Sequence, residues 1–244
     1  MNASYRDLIE TTARAHKISV LSGAGLSVES GVPAFRGPQG LWRNYDPFEL
    51  ATPEAFERDP TLVWEFYNDR RRLLAQCEPN AAHVALVDLE GLLPELVHIT
   101  QNVDGLAARA GGKNIIRLHG ELGATKCSHC GRMAQSDGGE HSFPAYCQNC
   151  GGLLRPGVVW FGEPVSMIGQ AAQDIHDSQV FMVIGTSAVV QPAASLARLA
   201  KQQGAFVADF NLEETAIADL VDAHVRGPVA TTLPAFVSEV KKLR

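Results

Sequence analysis

Four cysteines carry the clearest chemical signal. Cys127-Ser128-His129-Cys130 and Cys147-Gln148-Asn149-Cys150 form two Cys-x-x-Cys turns with sixteen residues between them. Each such turn aims two thiolates at one point, and two turns complete a tetrahedron around a metal such as zinc. Four thiolates leave no position for water, so the metal would be structural. Two disulfides or free thiols are the alternative, and the lack of a recognisable export signal argues for metal. His129 reads as a bystander beside a filled shell, and Cys77, the fifth cysteine, as a packed core thiol.

A second signal is Ser22-Gly23-Ala24-Gly25-Leu26-Ser27, where small residues follow an apolar run. Such a turn lets the backbone approach a pyrophosphate, whose charge a following helix start would stabilise. The match to Gly-x-Gly-x-x-Gly is incomplete, with Val28 at the third glycine's place, and a plain tight turn competes. The loop that follows, from Glu29 to Gly37, holds Pro33, Phe35 and Arg36. Phe35 could cover a ring, and Arg36 could meet a phosphate or a carboxylate.

A third lies in the helical pattern over residues 60–76. At about 100° per residue, Val63, Phe66, Tyr67, Leu73, Leu74 and Cys77 fall on one apolar stripe. Arg70 sits within it, while Arg71 and Arg72 turn away as a solvated run should. An inward guanidinium needs a carboxylate or a polar cavity. The competing reading is that Arg70 snorkels outward or meets an internal acid. Tyr67, three residues earlier, shares its face.

The elements positioning these groups alternate. Strands are expected at residues 17–21, 96–100, 115–118, 180–184 and 205–210, and helices at 60–76, 81–90, 193–203 and 213–220. That alternation argues for a parallel sheet covered on both faces. Residues 126–153 break the rhythm and contain both cysteine pairs, so they read as an inserted module. The first residues, through Lys17, form an amphipathic helical pattern without the apolar core of a secretory signal.

The 244 residues suffice for one substantial α/β domain and a small insertion. A net charge of −6 offers no overall field for nucleic acid or anionic lipid. The metal module is not notably basic and lacks an aromatic stacking surface. The most apolar run, residues 180–190, falls short of the ~20 residues of a membrane span. The expectation is a cytoplasmic monomer with no membrane and no direct nucleic-acid partner.

The loop from Gly23 to Gly37 resembles the NAD loop of the sirtuin family. The likeness continues through Thr100-Gln101-Asn102-Val103-Asp104-Gly105-Leu106, Leu118-His119-Gly120, the four cysteines, Arg155-Pro156-Gly157-Val158-Val159-Trp160-Phe161-Gly162-Glu163, Gly185-Thr186-Ser187 and Asn211-Leu212-Glu213. These blocks keep the family's order from about residue 18 to 236. The fold so expected is α/β, a Rossmann-like doubly wound parallel sheet with a small zinc-ribbon module inserted. Residues 1–125 and 152–244 would form the NAD-binding domain and 126–151 the zinc module, joined by part of the helical segment 26–80.

The resemblance implies NAD as co-substrate, one structural zinc held by Cys127, Cys130, Cys147 and Cys150, and acylated-lysine proteins or peptides as partners. It makes His119 the general base on the nicotinamide ribose. Gly23, Ala24, Gly25, Ser27, Pro33, Arg36 and Trp42 would contact the dinucleotide, Asn102 and Asp104 would hold the nicotinamide and its ribose with Gln101 beside them, and Phe35 would shield the reacting carbon. Gly185, Thr186 and Ser187 resemble the family's second phosphate-and-ribose loop, Asn211 and Glu213 its adenosine-ribose contacts, and Val229 its backbone contact to adenine. Val159, Phe161, Gly162 and Glu163 resemble the segment that pairs with the substrate peptide. Tyr67-x-x-Arg70, with Ala51 as the small residue leaving space, resembles the acyl pocket of class III members, which remove succinyl and malonyl groups. Gly157 departs from the bulkier residue common in relatives and puts the local loop shape in question.

On residues alone, His119 could be a satisfied structural histidine, Gln101-Asn102-Val103-Asp104 a simple Asx turn, and the 158–163 segment an internal strand entering a turn. Rival classes are an NAD dehydrogenase, a zinc module that binds without catalysis, a plain deacetylase and a mono-ADP-ribosyltransferase. The last begins with the same bond cleavage.

Overall fold

The computed structural model describes residues 3–34, 47–135 and 139–244. The helices are α1 (Ala3–Arg14), α2 (Pro47–Leu50), α3 (Pro53–Arg58), α4 (Pro60–Leu74), α5 (Ala81–Leu92), α6 (Leu106–Arg109), α7 (Ile168–Asp174), α8 (Ser195–Gln202) and α9 (Val229–Leu243). The strands are β1 (Lys17–Ser22), β2 (Glu95–Thr100), β3 (Ile115–Arg117), β4 (Gly120–Cys127), β5 (Met133–Gln135), β6 (Leu154–Val158), β7 (Val180–Ile184), β8 (Phe206–Asn211) and β9 (Ala223–Arg226).

Six strands form one sheet in the order β3-β2-β1-β7-β8-β9, with every adjacent pair parallel. β7 reads Val-Phe-Met-Val-Ile, and all five residues are buried. A run without polar alternation suits a strand covered on both faces. On one face Leu8, Leu86, Leu89, Leu233 and Phe236 of α1, α5 and α9 pack against Val20, Met182 and Phe210. On the other, Ala171, Leu196 and Ala200 of α7 and α8 meet Leu21, Phe181 and Val183. The chain runs outward from β1 through β2 and β3, and outward again from β7 through β8 and β9. The strand order therefore reverses between β1 and β7, which opens a crevice at their carboxyl ends. This is a Rossmann-like doubly wound fold.

A second, three-stranded sheet runs β5-β4-β6, with both strand pairs antiparallel. Phe56, Val63, Trp64, Phe66 and Tyr67 of α3 and α4 form a third apolar cluster with Leu122, Val158 and Trp160. Gly157 lies on β6 where a Cβ would come within 2.8 Å of the Ala124 backbone. Its departure from a bulkier residue thus lets β6 lie close on β4.

Three expectations are corrected. Residues 213–220 are not a helix beyond a 3-10 turn at Ala218–Leu220. The Thr215 hydroxyl donates to Asp209, and the Ala216 N–H to the Ser187 carbonyl, so side-chain and cross-loop bonds hold this backbone in place of a helical ladder. Two 3-10 turns, Ala24–Leu26 and Val28–Ser30, follow the glycine turn where the start of a helix was expected. Gly31, at φ 91°, ends them. Finally, Arg71 is not solvated. It is 2% exposed and donates to the carbonyls of Gly139 at 3.0 Å and Ala124 at 3.1 Å, while Leu73 of the expected stripe is 38% exposed. Arg71 satisfies its charge on backbone carbonyls, which helical periodicity cannot reveal.

Candidate active site

The turn after β1 and the turn after β7 interlock at the crevice. The Gly25 N–H donates to the Gly185 carbonyl at 2.7 Å, and the Gly23 N–H to the Ile184 carbonyl at 3.0 Å. A Cβ on Gly23 would lie 2.6 Å from Thr186 Cβ, and one on Gly25 2.7 Å from Gly185 Cα. Gly185 itself has φ 59°, a conformation glycine adopts without strain. Here the glycines are required by two backbones in close approach.

Next to this turn lies a buried polar network. Asn102 donates through Nδ2 to the Gly23 carbonyl at 3.0 Å and to Ser27 Oγ at 3.2 Å. Ser27 donates to Asp104 Oδ2 at 2.7 Å, and the other oxygen of Asp104 accepts the Leu106 N–H at 2.8 Å in an Asx turn. The Asx turn and the network thus use the same carboxylate. Gln101 donates through Nε2 to Thr186 Oγ1 at 3.0 Å, bridging the two halves of the crevice.

His119, half-buried between β3 and β4, lies with Nδ1 3.0 Å from the Gln101 carbonyl oxygen. Burial lowers its pKa from the usual 6.5, and the bond to Gln101 opposes that shift. The carbonyl of His119 accepts the Val159 N–H at 2.9 Å, which ties the histidine to the 158–163 segment.

That segment is not an extended strand. β6 ends at Val158, and Trp160–Glu163 turns on Gly162, at φ 86°. Phe161 donates its N–H to the Ala51 carbonyl at 3.0 Å. Glu163 is turned inward: it forms a paired contact with Arg155 at 2.7 and 2.9 Å and accepts the Trp160 N–H at 2.8 Å. Burial pushes the Glu163 carboxyl up, and the bonds from Arg155 and Trp160 outweigh it, leaving its pKa below the usual 4.5. The Arg155 guanidinium also stacks 3.4 Å from the Trp160 ring centre.

Trp160 links this segment to α4 by donating Nε1–H to the Tyr67 hydroxyl at 3.0 Å. Burial pushes the Tyr67 phenol up to about 12, so it acts only as a neutral hydrogen-bonding group. Arg70 is half-buried on the same helix, with its guanidinium 3.3 Å from the Phe66 ring centre and Nη1 bonded to the Phe66 carbonyl at 3.0 Å. Tyr67 and the Ala51 carbonyl therefore both contact the 158–163 segment, while the Arg70 guanidinium folds back onto Phe66 of its own helix.

On the far side of the crevice, Gly185 N–H meets the Phe210 carbonyl at 2.9 Å, and Gly227 N–H meets the Asn211 carbonyl at 3.2 Å. Thr186 is half-buried, Ser187 and Glu213 are exposed, Asn211 is buried, and Val229 is buried at the start of α9. Pro33 is exposed and Ala24 half-buried. Phe35, Arg36 and Trp42 lie outside the described residues.

The four cysteine sulfurs lie within 4.8 Å of one another, with Cys127 and Cys150 at 3.5 Å and Cys130 and Cys147 at 3.8 Å. Sulfurs tetrahedral about zinc at 2.3 Å stand about 3.8 Å apart, so the donor set and the spacing fit the metal. The backbone N–H of Cys130 lies 3.4 Å from Cys127 Sγ and is the main reason that thiol's pKa is pulled down to about 6. Thiolate is the ligand form. Neither His129 nor Cys77 joins this cluster.

Periodicity missed several groups. His83 caps α5 through Asn80 and reaches Ser27 at 3.4 Å. Its place three residues after a capping asparagine was the available signal. Arg155 and Asp209 were missed too, and a lone acid inside the apolar run 205–210 was the signal for the second.

A family model described as the Sir2 family matches residues 23–192. An NAD-dependent protein deacylase 2 of Pyrobaculum aerophilum is 44% identical over 238 residues, covering 97% of this chain and 96% of that protein. An NAD-dependent protein deacylase of Aquifex aeolicus is 48% identical over 223 residues, covering 88% and 92%. A mutant Sir2 homologue in complex with ADP-ribose superposes with a TM-score of 0.93 at 41% identity, over 99% of this chain and 97% of that one. A Sir2 homologue–NAD complex gives 0.90 at 42%, over 98% and 95%. A Sir2 protein bound to a myristoylated histone peptide gives 0.79 at 31%, over 100% and 99%.

Proposed function

The chain belongs to the Sir2 family, and on that premise we propose that it is an NAD-dependent protein-lysine deacylase whose pocket favours acidic acyl groups such as succinyl and malonyl. The observation that carries the reading is the placement of His119 beside the glycine crevice, with Nδ1 on a carbonyl oxygen. A carbonyl only accepts, so the ring proton resides on Nδ1 and Nε2 offers a lone pair.

In this reading the dinucleotide spans the crevice, with its pyrophosphate over Gly23–Gly25 and Gly185–Ser187. Nicotinamide and its ribose sit near Ser27, Gln101, Asn102 and Asp104, and adenosine near Asn211, Glu213 and Val229. The acyl-lysine amide oxygen forms a bond to C1′ of the nicotinamide ribose as the bond to nicotinamide breaks. His119 Nε2 then takes a proton from a ribose hydroxyl, whose oxygen attacks the resulting imidate carbon. The lysine amine leaves from that carbon and one water adds to it, so the products are nicotinamide, the free lysine amine and O-acyl-ADP-ribose. Phe35 would shield the reacting carbon. Zinc supplies folding free energy to the small sheet and no chemistry.

Acidic-acyl preference is supported by Tyr67 and Arg70 standing three residues apart on α4, with Tyr67 bonded to Trp160 of the 158–163 segment and Phe161 of that segment bonded to Ala51. A guanidinium recognises a carboxylate through paired hydrogen bonds, an advantage that an acetyl group cannot use. Val159, Phe161 and Gly162 would receive the peptide backbone, with Glu163 as their internal brace. Among the described residues no helix is long and apolar enough to cross a membrane. Reduced metal-ligating thiols suit a cytoplasmic enzyme.

The deciding assay incubates the protein with NAD and succinyl-, malonyl- and acetyl-lysine histone peptides, followed by mass analysis. Loss of the acyl mass with release of nicotinamide is expected, fastest for the acidic acyls. A gain of ADP-ribose mass on the peptide would instead identify a mono-ADP-ribosyltransferase.

A further inference from the structure

Asp209 sits on β8 between Ala208 and Phe210 and is fully buried. A carboxylate removed from water needs donors in its place. Asn211 supplies its amide nitrogen to Oδ1, while Thr215 Oγ1 at 3.2 Å and Arg226 Nη1 at 3.1 Å both donate to Oδ2. All three donors belong to β8, β9 or the segment between them, which in the reading above borders the adenosine ribose.

Two consequences follow from the direction of these bonds. A carboxylate oxygen can only accept, so Asn211 must face Asp209 with its nitrogen. Its amide oxygen is then the group left for a ligand. Arg226, meanwhile, is drawn to Asp209 and donates also to the Glu213 carbonyl and to His224 Nδ1, the latter at 3.1 Å. The guanidinium is thus engaged by three protein partners, although about a third of the side chain (35%) stays exposed, and the Glu213 side chain is exposed as well.

The subsite therefore presents acceptors, the Asn211 amide oxygen and the Glu213 carboxylate, and withholds its cation. Ribose hydroxyls can donate to both acceptors. A 2′-phosphate would meet an anion, and the neighbouring cation is already engaged by Asp209, the Glu213 carbonyl and His224. We propose that Asp209 is the positioning residue that makes this site select NAD over its 2′-phosphorylated form, by fixing the Asn211 amide and drawing the Arg226 guanidinium onto its own carboxylate. The proposal rests on the adenosine ribose lying at Asn211 and Glu213.

The test compares NAD with NADP in turnover of an acetyl-lysine peptide, and ADP-ribose with its 2′-phosphate in calorimetric binding. The wild type should use NAD and discriminate strongly against NADP. Asp209→Asn should raise KM for NAD by about 10-fold with kcat little changed, the size expected for one charge-assisted hydrogen bond. It should also narrow the NAD-to-NADP preference by about 10-fold, because a released guanidinium can meet the phosphate. Adding Arg226→Gln should keep the KM rise and abolish the gain with NADP. A folded Asp209→Asn protein with unchanged preference overturns the proposal, as does a wild type that uses both dinucleotides equally.

Should Asp209→Asn not fold, Arg226→Gln alone decides. An unchanged preference is expected, because the cation was never offered to the ligand. Selective loss of 2′-phosphate binding would place Arg226 at the ribose and overturn the proposal. Asn211→Ala and Glu213→Gln probe the underlying placement: if both leave KM for NAD unchanged, the ribose lies elsewhere and it is that reading that fails.

Discussion

Nδ1 of His119 lies 3.0 Å from the carbonyl oxygen of Gln101, so a residue at the crevice fixes which ring nitrogen of the histidine carries the proton. The lone pair on Nε2 is then the basic site. His119→Tyr should lower turnover by at least about 100-fold, the usual weight of a general base, while one zinc per chain is retained. Normal deacylation by that variant would refute the assignment.

Burial holds the His119 imidazole below its usual pKa of 6.5, against the opposing bond to Gln101. The base works unprotonated, so kcat/KM should be level near neutral pH and fall only as acidity reaches that lowered value. A pH profile should show an acid limb with its midpoint below 6.5. A limb centred clearly above it would mean that another group limits the rate.

Arg70→Met keeps the length of the stem and removes the carboxylate partner. Removal of succinyl and malonyl groups should drop by about 100-fold through lost paired hydrogen bonds, with acetyl removal within a few-fold of wild type. Parallel decline of all three activities would argue against Arg70 as the acyl-reading residue.

Arg71→Met should act on stability rather than selectivity. Two carbonyls, Ala124 and Gly139, lose a charged donor in a nearly water-free setting. The cost should be about 3 kcal/mol, seen as a lower thermal midpoint. An unchanged midpoint would show that water replaces the guanidinium there.

Metal analysis should find one zinc per chain, and Cys130→Ser or prolonged chelation should remove it. Loss of the metal should loosen β4, β5 and β6, with the six-stranded sheet retaining its secondary structure. Full unfolding of that sheet on chelation would mean that the two parts are not separable.

Much of the nucleotide fold was legible in the sequence because its strands are unbroken apolar runs. Residues 17–21, 96–100 and 180–184 emerge as β1, β2 and β7 within a residue or so. The cysteine spacing was equally readable, since it follows from local turn geometry. What escaped detection was polar burial settled over long sequence distances. Arg71 finds its carbonyls 53 and 68 residues away, and no helical period encodes that. Glu163, expected to face substrate, turns to Arg155 eight residues back. The 213–220 segment has helix-forming residues, yet Asp209 and Ser187 claim its polar groups and leave only a short turn.

The grip of Arg71 on Gly139 and Ala124 has a practical corollary. The adjacent residue, Arg70, shares the backbone of α4, so on the proposed reading the cysteine-held sheet and the acyl pocket would be mechanically linked through this helix. Oxidants that strip the thiolates would disturb that linkage from a distance. Under oxidative stress the enzyme should grow indiscriminate toward its substrates before it loses its hold on dinucleotide.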